Sequence, residues 1–279
     1  MAIRELTEAD RETVLGFLKK NPALNLFLIG DIIHYRFEQD FQQVWGDFDA
    51  RGSLRSVLLR YYDSYIPYAE GTFDVAGLAA ILEQETELGT FSGIDYVTEA
   101  FRGNDRLPLQ WDHNRQTYFA ELKEWTALDV DELREIEGKP VQWHKMKVED
   151  IPALVELIDR IEEFELHAMD SFRHSLETGS TRGYWLEREG RAIAMARTAA
   201  ENPYSAMIIG VGTHPGFRKK GLATQLMIRL CRELRSKRKS VCLFYDNPKA
   251  GAIYKRLGFR DIGRWNMMKA KKKGEVSHF

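Results

Sequence analysis

Residues 206–224 constrain the fold of this chain more than any other stretch. They begin with an apolar, partly β-branched run at 206–211, which predicts a buried strand. The glycines and the proline within 212–216 predict the end of that strand and a turn. Leucines then recur at helical spacing, at Leu222, Leu226, Leu230 and Leu234. The stretch therefore predicts a strand, a turn and a helix in direct succession.

The start of this helix has the chemistry of an anion receptor. Arg218, Lys219 and Lys220 precede Gly221, where the helix is predicted to begin. The first-turn N–H groups of a helix have no intrahelical acceptor, and the helix dipole is positive at that end. Gly221 also lacks a Cβ that would keep a phosphate away from the backbone. The alternative is an ordinary strand–turn–helix joint with solvated lysines, and the residue order of a nucleotide P-loop is absent.

Two motifs in the last half of the chain resemble the signatures of the GNAT acetyltransferase family. Arg218-x-x-Gly221-x-Ala223, after a Val-x-Thr-x-Pro strand end, resembles the acyl-CoA signature of that family. A second set resembles the downstream signature, in which Asn and Tyr precede Gly-Phe: Asn247, Ala250, Tyr254, Leu257, Gly258 and Phe259. Their order and separation also match, so together the motifs are more specific than either alone. The resemblance implies an α/β (α+β) fold with a mixed, mostly antiparallel sheet flanked by helices.

The same resemblance implies that acetyl-CoA is the co-substrate and that the anion is the coenzyme A pyrophosphate. Main-chain N–H groups of 219–224 would bind the pyrophosphate, and the side chains of 218–220 would add positive charge. The central strand would splay from its neighbour and leave backbone groups free for the pantetheine arm. The implied cofactor-binding residues are Val211, Gly212, Thr213, Arg218, Lys219, Lys220, Gly221, Leu222, Ala223, Thr224, Asn247 and Tyr254. Asn247 has a second interpretation as the N-cap of the following helix.

Two of these residues are predicted to be catalytic. Acyl transfer to an amine needs donors for the thioester oxyanion and groups that move protons. By position in the family, the Val211 N–H is the oxyanion donor, with a plain core strand as the alternative. Tyr254, with an ordinary pKa of about 10, can protonate a leaving thiolate whose own pKa is about 8.5. The alternative for Tyr254 is a core tyrosine under the sheet.

The general base is not identified by the motifs. Several GNAT enzymes carry a glutamate on the central strand about eleven residues before the signature arginine, and Met207 stands there in this chain. Five other side chains are candidates, directly or through water: His167, Glu187, Glu201, Tyr204 and His214. A solvent chain that deprotonates the amine is the remaining possibility.

The chain of 279 residues is long enough for two domains. We expect a partner domain over 1–125 without a cofactor motif, a linker over 126–139 and a catalytic GNAT domain over 140–279. The element order predicted for the first half is also the GNAT order, which suggests a degenerate copy of the second half. An unrelated α/β domain is the alternative.

Composition excludes several other classes of protein. The formal net charge of −2 gives no global argument for nucleic acid or an anionic membrane. No transmembrane segment or signal peptide is expected, and Cys231 and Cys242 are expected to be reduced core thiols of a cytoplasmic protein, with no metal site. The basic runs at 232–239 and 269–273 are interpreted as solvated surface. We expect a monomer or homodimer.

The predicted function is N-acetyl transfer from acetyl-CoA to the primary amine of a small molecule, by direct attack in a ternary complex. The alternatives are a non-catalytic acyl-CoA sensor that has lost its base and a protein- or ribosome-directed N-acetyltransferase.

Overall fold

The computed structural model describes residues 2–86, 88–125, 133–162 and 169–271. In the first 125 residues the strands and helices are β1 (Ala2–Glu5), α1 (Arg11–Leu18), α2 (Leu26–Tyr35), β2 (Gln42–Phe48), β3 (Leu54–Tyr61), β4 (Ser64–Ala69), α3 (Val75–Gln84), β5 (Thr90–Ile94), α4 (Asp95–Thr98) and β6 (Arg115–Leu122). The rest of the chain holds β7 (Glu135–Ile136), β8 (Lys139–Pro140), β9 (Gln142–Lys145), α5 (Ile151–Ile158), α6 (Met169–Glu177), β10 (Gly183–Arg188), β11 (Arg191–Ala199), β12 (Ser205–Thr213), α7 (Leu222–Ser236), β13 (Ser240–Tyr245), α8 (Pro248–Arg256) and β14 (Phe259–Lys269).

The chain forms two compact units that interleave along the sequence. The first unit contains Met1–Phe119 together with Asp261–Phe279, and the second unit is Ala120–Arg260. The division predicted from sequence lies at 126–139, whereas these units divide within β6 and again within β14. Residues 126–132 of that predicted linker lie outside the described residues, and the rest of it carries the short β7–β8 hairpin.

The first unit is a sheet with helices on both faces. Its strand order is β1-β2-β3-β4-β5-β14, antiparallel except for the parallel pair β4 and β5. Side chains along β3 alternate between the faces, as strand geometry requires. Val57 and Leu59 join the core under α1 and α2, and Leu58 joins the core under α3. All three are fully buried.

The end of the chain differs from the sequence prediction. The sequence predicts two short closing strands in the second half, around 260–262 and 265–269, but β14 is one continuous strand. Met268 is 0% exposed and lies in the core of the first unit with Tyr65 and Phe91. Trp265 packs on Phe119 with ring centroids 5.6 Å apart. The last strand therefore completes the sheet and core of the first unit.

The second unit repeats the order of elements seen in the first. Its strands run β13-β12-β11-β10-β9, and residues of β6 from Ala120 onward lie next to β13. The pair β12 and β13 is parallel, and the pairs among β9 to β12 are antiparallel. Helix α5 packs on the face that carries Trp185 and Met195. Helix α7 lies on the opposite face, where Tyr184 donates its hydroxyl to Glu233 of that helix at 2.7 Å.

Most predicted elements of the second half are present, with one shorter than expected. The sequence also predicts a helix over 151–164, of which α5 covers Ile151–Ile158, and residues 163 and 164 lie outside the described residues. Cys231 and Cys242 are free and 0% exposed, as core thiols should be. None of the described helices has the length and apolar content to cross a membrane.

Candidate active site

The turn before α7 has the backbone shape predicted for an anion receptor. Gly221 is the N-cap of this 15-residue helix with φ of 80°, in the left-handed region that favours glycine. Lys219 is also left-handed, with φ of 66°. No atom lies within 4 Å of the position that a Cβ on Gly221 would take. The Gln225 N–H bonds the Gly221 carbonyl at 3.0 Å, so the amides of the preceding first turn point out of the helix end.

Two basic side chains of this turn already have partners inside the second unit. The Arg218 Nε donates to the Thr213 carbonyl at 3.4 Å, which folds the arginine back toward the end of β12. The Lys220 ammonium forms an ion pair with Glu137, in the turn between β7 and β8. That contact holds the pKa of Glu137 below its ordinary value. The Glu137 carboxylate therefore pairs with Lys220, the cation that the motif assigns to a phosphate of coenzyme A.

Strand β12 has the bulge and the splay that free its backbone. Met195 pairs with Gly212 and Arg197 pairs with Ile209, so two residues, Gly210 and Val211, lie opposite one residue of β11. Gly210 has φ of 58°. On the other side, β12 pairs with β13 only at 205–207 with 240–242, within described strands that run on to Thr213 and Tyr245. Val211, Gly212 and Thr213 therefore border the gap that opens beyond Met207.

Tyr254 lies on the β13 side of the same gap. Its ring is 5.9 Å from the ring of Tyr245, the last residue of β13. Burial raises its pKa above the ordinary value, so the hydroxyl keeps its proton at neutral pH. Within the described part of the chain, the structure shows no hydrogen bond to this hydroxyl. A buried, protonated and unpartnered tyrosine suits a general acid.

The other residues of the second motif have structural roles. The Asn247 side chain accepts from the Lys249 N–H at 2.9 Å and caps α8, the second of its two interpretations. Gly258 has φ of 96°, and a Cβ there would lie 1.5 Å from the Glu124 carbonyl oxygen. The Gly258 carbonyl in turn accepts from the Lys123 and Glu124 N–H groups at 3.2 Å. Only glycine fits this approach of two backbones.

Two residues considered for the general base, Met207 and Glu201, are unsuited to accept a proton. Met207 is buried on β12 and cannot accept a proton. Glu201 is held by Arg182 at 2.6 Å and Lys239 at 2.9 Å, and these partners outweigh its burial and lower its pKa. These partners make Glu201 a structural carboxylate.

Three further candidates keep some access to solvent, and one lies outside the described residues. Glu187 Oε2 lies 3.0 Å from His144 Nε2, without the alignment of a hydrogen bond. His214 Nδ1 accepts from the Gly216 N–H at 3.1 Å. Tyr204 is 37% exposed in the turn before β12. His167 lies outside the residues that the structure describes.

A cavity of about 1050 Å³ lies beside the end of β12, on the α5 side of the second unit. His214, Phe217 and Arg188 line it. The Arg188 guanidinium lies 5.2 Å from the centre of the Phe217 ring and 3.4 Å from Glu137. Sequence reasoning missed Arg188 and Glu137. No motif marks either residue, and the Glu137-Gly138 pair signals only a turn.

Comparison with known proteins identifies a family domain in the second half of the chain. A profile of the acetyltransferase (GNAT) family matches residues 147–259, which include both motifs, the bulged strand and Tyr254. This part of the chain carries an acetyltransferase (GNAT) domain. The rice protein serotonin N-acetyltransferase 2, chloroplastic, is 31% identical to this chain over 115 residues. That match covers 39% of the chain and 56% of the rice protein, so the chain spans about half the length of this relative.

Solved structures match the GNAT fold over nearly the whole chain. A Drosophila protein covers 98% of this chain and 99% of its own length, with a TM-score of 0.68 and 15% identity. A tandem GNAT protein from the clavulanic acid biosynthesis pathway covers 97% and 98%, with a TM-score of 0.56 and 17% identity. At these identities the likeness concerns the fold. It confirms the predicted GNAT fold.

Proposed function

We propose that the protein is an N-acetyltransferase that moves the acetyl group of acetyl-CoA to the primary amine of a small molecule. The amine attacks the thioester directly, in a complex that holds both substrates. The second unit carries the cofactor and the chemistry. The first unit is a degenerate repeat without a cofactor motif.

One observation carries this proposal: the left-handed turn at Gly221 lies at the end of a strand that is both bulged and splayed. The turn offers amides and positive charge for a diphosphate. The gap between β12 and β13 offers an extended backbone edge for the pantetheine arm. A plain strand–turn–helix joint explains the turn but not the bulge and the gap beside it.

The residues around the gap then have separate roles. The Val211 N–H lies in the bulge and serves as a donor to the thioester oxyanion. The Tyr254 hydroxyl gives its proton to the departing thiolate, which its raised pKa permits because the proton is still bound at neutral pH. With Met207 at the family's base position, the amine loses its proton to water. Glu187 and His214 are the candidates that relay it.

Calorimetry with coenzyme A and with acetyl-CoA tests the cofactor site. We expect binding by the unchanged protein and at least a tenfold weaker affinity for Gly221→Val, because the side chain blocks the helix end and strains the turn. Gly103→Val is the matched control. Gly103 has φ of 85° in open space in the first unit, so it brings similar strain without touching the cofactor turn. Absence of binding to both coenzyme A forms would remove the proposal.

Thiol release against a panel of amines then tests catalysis. The panel includes arylalkylamines, because the rice relative is named a serotonin N-acetyltransferase. The second candidate function, a non-catalytic acyl-CoA sensor, is favoured by Met207 at the base position. A sensor predicts tight binding of acetyl-CoA with no thiol release above the rate without protein. The Tyr254 hydroxyl, which has no hydrogen-bond partner among the described residues, favours catalysis.

A further inference from the structure

Arg197 of β11 lies over the bulge that carries the predicted oxyanion donor. A Cβ on Gly210 would lie 3.4 Å from both the Cγ and the Nε of Arg197. Gly210 directly precedes Val211 in the chain. The arginine side chain is therefore next to the place where the thioester carbonyl is proposed to bind.

Apolar side chains lie beside Arg197. The Phe172 ring of α6 lies 4.5 Å from its guanidinium carbon, and Met195 is the next residue on the same face of β11. Among the described residues no carboxylate or carbonyl bonds this side chain. Burial lowers its pKa to about 10. Arg182 contrasts with it, since its guanidinium bonds both Glu201 and Glu233 at 2.6 Å.

A largely desolvated cation without a counter-ion is unfavourable, and an anionic ligand removes that cost. A guanidinium presents a planar fork that matches a carboxylate with two parallel hydrogen bonds. The phosphates of coenzyme A are assigned elsewhere, to the N-terminus of α7. That helix packs on the face of Tyr184, whereas Arg197 belongs to the face of Phe172 and Trp185. The anion that reaches Arg197 is therefore part of the other substrate.

We propose that Arg197 binds the carboxylate of the acceptor, so that the acceptor is an amino acid or a similar amine that carries a carboxylate. The inference rests on the proposed function, because it places the acceptor beside the acetyl group. The amine attacks the thioester carbon, the C–S bond breaks, the thiolate takes a proton and the amine loses one. The carboxylate takes no part in these bond changes. Arg197 is a specificity-determining residue that touches the substrate.

Matched acceptors that differ only in the carboxylate test the inference. The pairs are tryptophan with tryptamine and phenylalanine with phenethylamine, assayed by thiol release. We expect the unchanged protein to favour the amino acid of each pair in kcat/KM. Arg197→Met should lower kcat/KM for the amino acids by roughly 100-fold and for the plain amines by less than about threefold. Arg197→Lys should recover part of the loss, since it restores charge without the fork.

Two further measurements separate recognition from a structural role. Without ligand, Arg197→Met should melt at the same temperature as the unchanged protein or higher, because it removes a buried charge that no carboxylate of the described residues compensates. Arg182→Met, the control, should melt lower and should leave the preference between pair members unchanged. A lower melting temperature for Arg197→Met, or equal losses for amino acids and plain amines, would overturn the inference.

The affinity for acetylated products tests the carboxylate site without requiring catalytic turnover. N-acetyltryptophan should bind the coenzyme A-loaded protein more tightly than N-acetyltryptamine, and Arg197→Met should abolish the difference. If no amine releases thiol but this difference is present, the transferase proposal fails and the carboxylate site stands. If thiol release favours tryptamine and both products bind equally, the transferase stands and the carboxylate site fails.

Discussion

At the scale of single residues, the hydroxyl of Tyr254 gives the most direct test of the proposed chemistry. Its buried hydroxyl keeps its proton, and no described residue takes a hydrogen bond from it. We predict that Tyr254→Phe lowers kcat by about 100-fold, because the thiolate then leaves without a proton donor. The KM for acetyl-CoA should change by less than about threefold, since the ring and its contacts stay.

Steady-state kinetics with saturating amine measure both constants. Tyr184→Phe is the matched control, because it also removes a phenolic hydroxyl, one that bonds Glu233. That variant should unfold more easily and keep its kcat. An unchanged kcat for Tyr254→Phe would end the general-acid assignment and leave Tyr254 as a core residue.

Asp31 of α2 gives the first unit a pH dependence. Burial raises the pKa of this carboxyl to about 7, well above that of an unfolded chain. Between about pH 4 and pH 7 the folded state therefore holds a proton that the unfolded state has lost, and stability falls as pH rises through that window. Asp31→Asn should remove this loss, and at pH 8 it should stabilise the protein by roughly 1–3 kcal/mol.

Urea unfolding at pH 5 and pH 8 measures the difference between the two proteins. Asp10→Asn is a control of opposite sign, because the bond from Arg4 lowers the pKa of Asp10 to about 2. The stability that Asp10 contributes is present above its ordinary pKa of 3.8 and is lost as pH falls through about 2. Equal effects of Asp31→Asn at pH 5 and pH 8 would contradict the assigned pKa.

Two backbone features of the candidate site could be predicted from the sequence alone. The Gly221 turn and the cap at Asn247 follow from local spacing, which is the same information that sets local backbone shape. Arg197 and Glu137 could not be found in this way. Their significance depends on which side chains lie nearby, and those neighbours come from distant parts of the chain.

At the scale of elements, the β7–β8 hairpin competes with the proposed ligand. Glu137 at its turn pairs with Lys220 and Arg188, two cations beside the proposed diphosphate site. We predict that Glu137→Gln tightens coenzyme A binding by roughly two- to fivefold at low salt, because Lys220 no longer has to leave a carboxylate. The gain should shrink as salt is added.

Calorimetry over a range of salt concentrations measures this effect. Glu189→Gln is the matched control, since Glu189 is an exposed carboxylate near Arg188 that pairs with Lys139 at 2.5 Å. It should leave the affinity within about 1.5-fold of the unchanged protein. Equal tightening by both variants would assign the effect to net charge instead of the hairpin.

At the scale of the molecule, the first unit is completed by a strand that comes much later in the sequence. Met268 and Trp265 of β14 fill the core of the first unit, although they lie about 170 residues beyond β5, the strand with which β14 pairs. We predict that residues 1–125 expressed alone unfold without a cooperative transition, because the edge of β5 and the Met268 site lose their partners.

A second chain, in which a Gly/Ser linker joins 1–125 to 259–271, should recover a cooperative transition by circular dichroism. The same linker joined to 259–271 with Met268→Asp is the control, and it should behave like 1–125 alone. Cooperative unfolding of 1–125 by itself would contradict the assignment of β14 to the first unit.

Most elements of both units could be predicted from sequence, because alternating and helical apolar periods are local properties. The partner of the last strand could not. Gly263 interrupts the pattern at φ of 151° and suggests two short strands, and no local signal shows which sheet receives them. Pairing over such a distance depends on the complete core.

The late arrival of β14 affects how this protein is made. The first half leaves the ribosome long before Trp265 and Met268 are synthesised, so the first unit stays incomplete until β14 has been made. Premature termination anywhere in the second half would then leave the second unit truncated and the first unit without its last strand. Nascent chains are expected to depend on chaperones until β14 emerges from the ribosome.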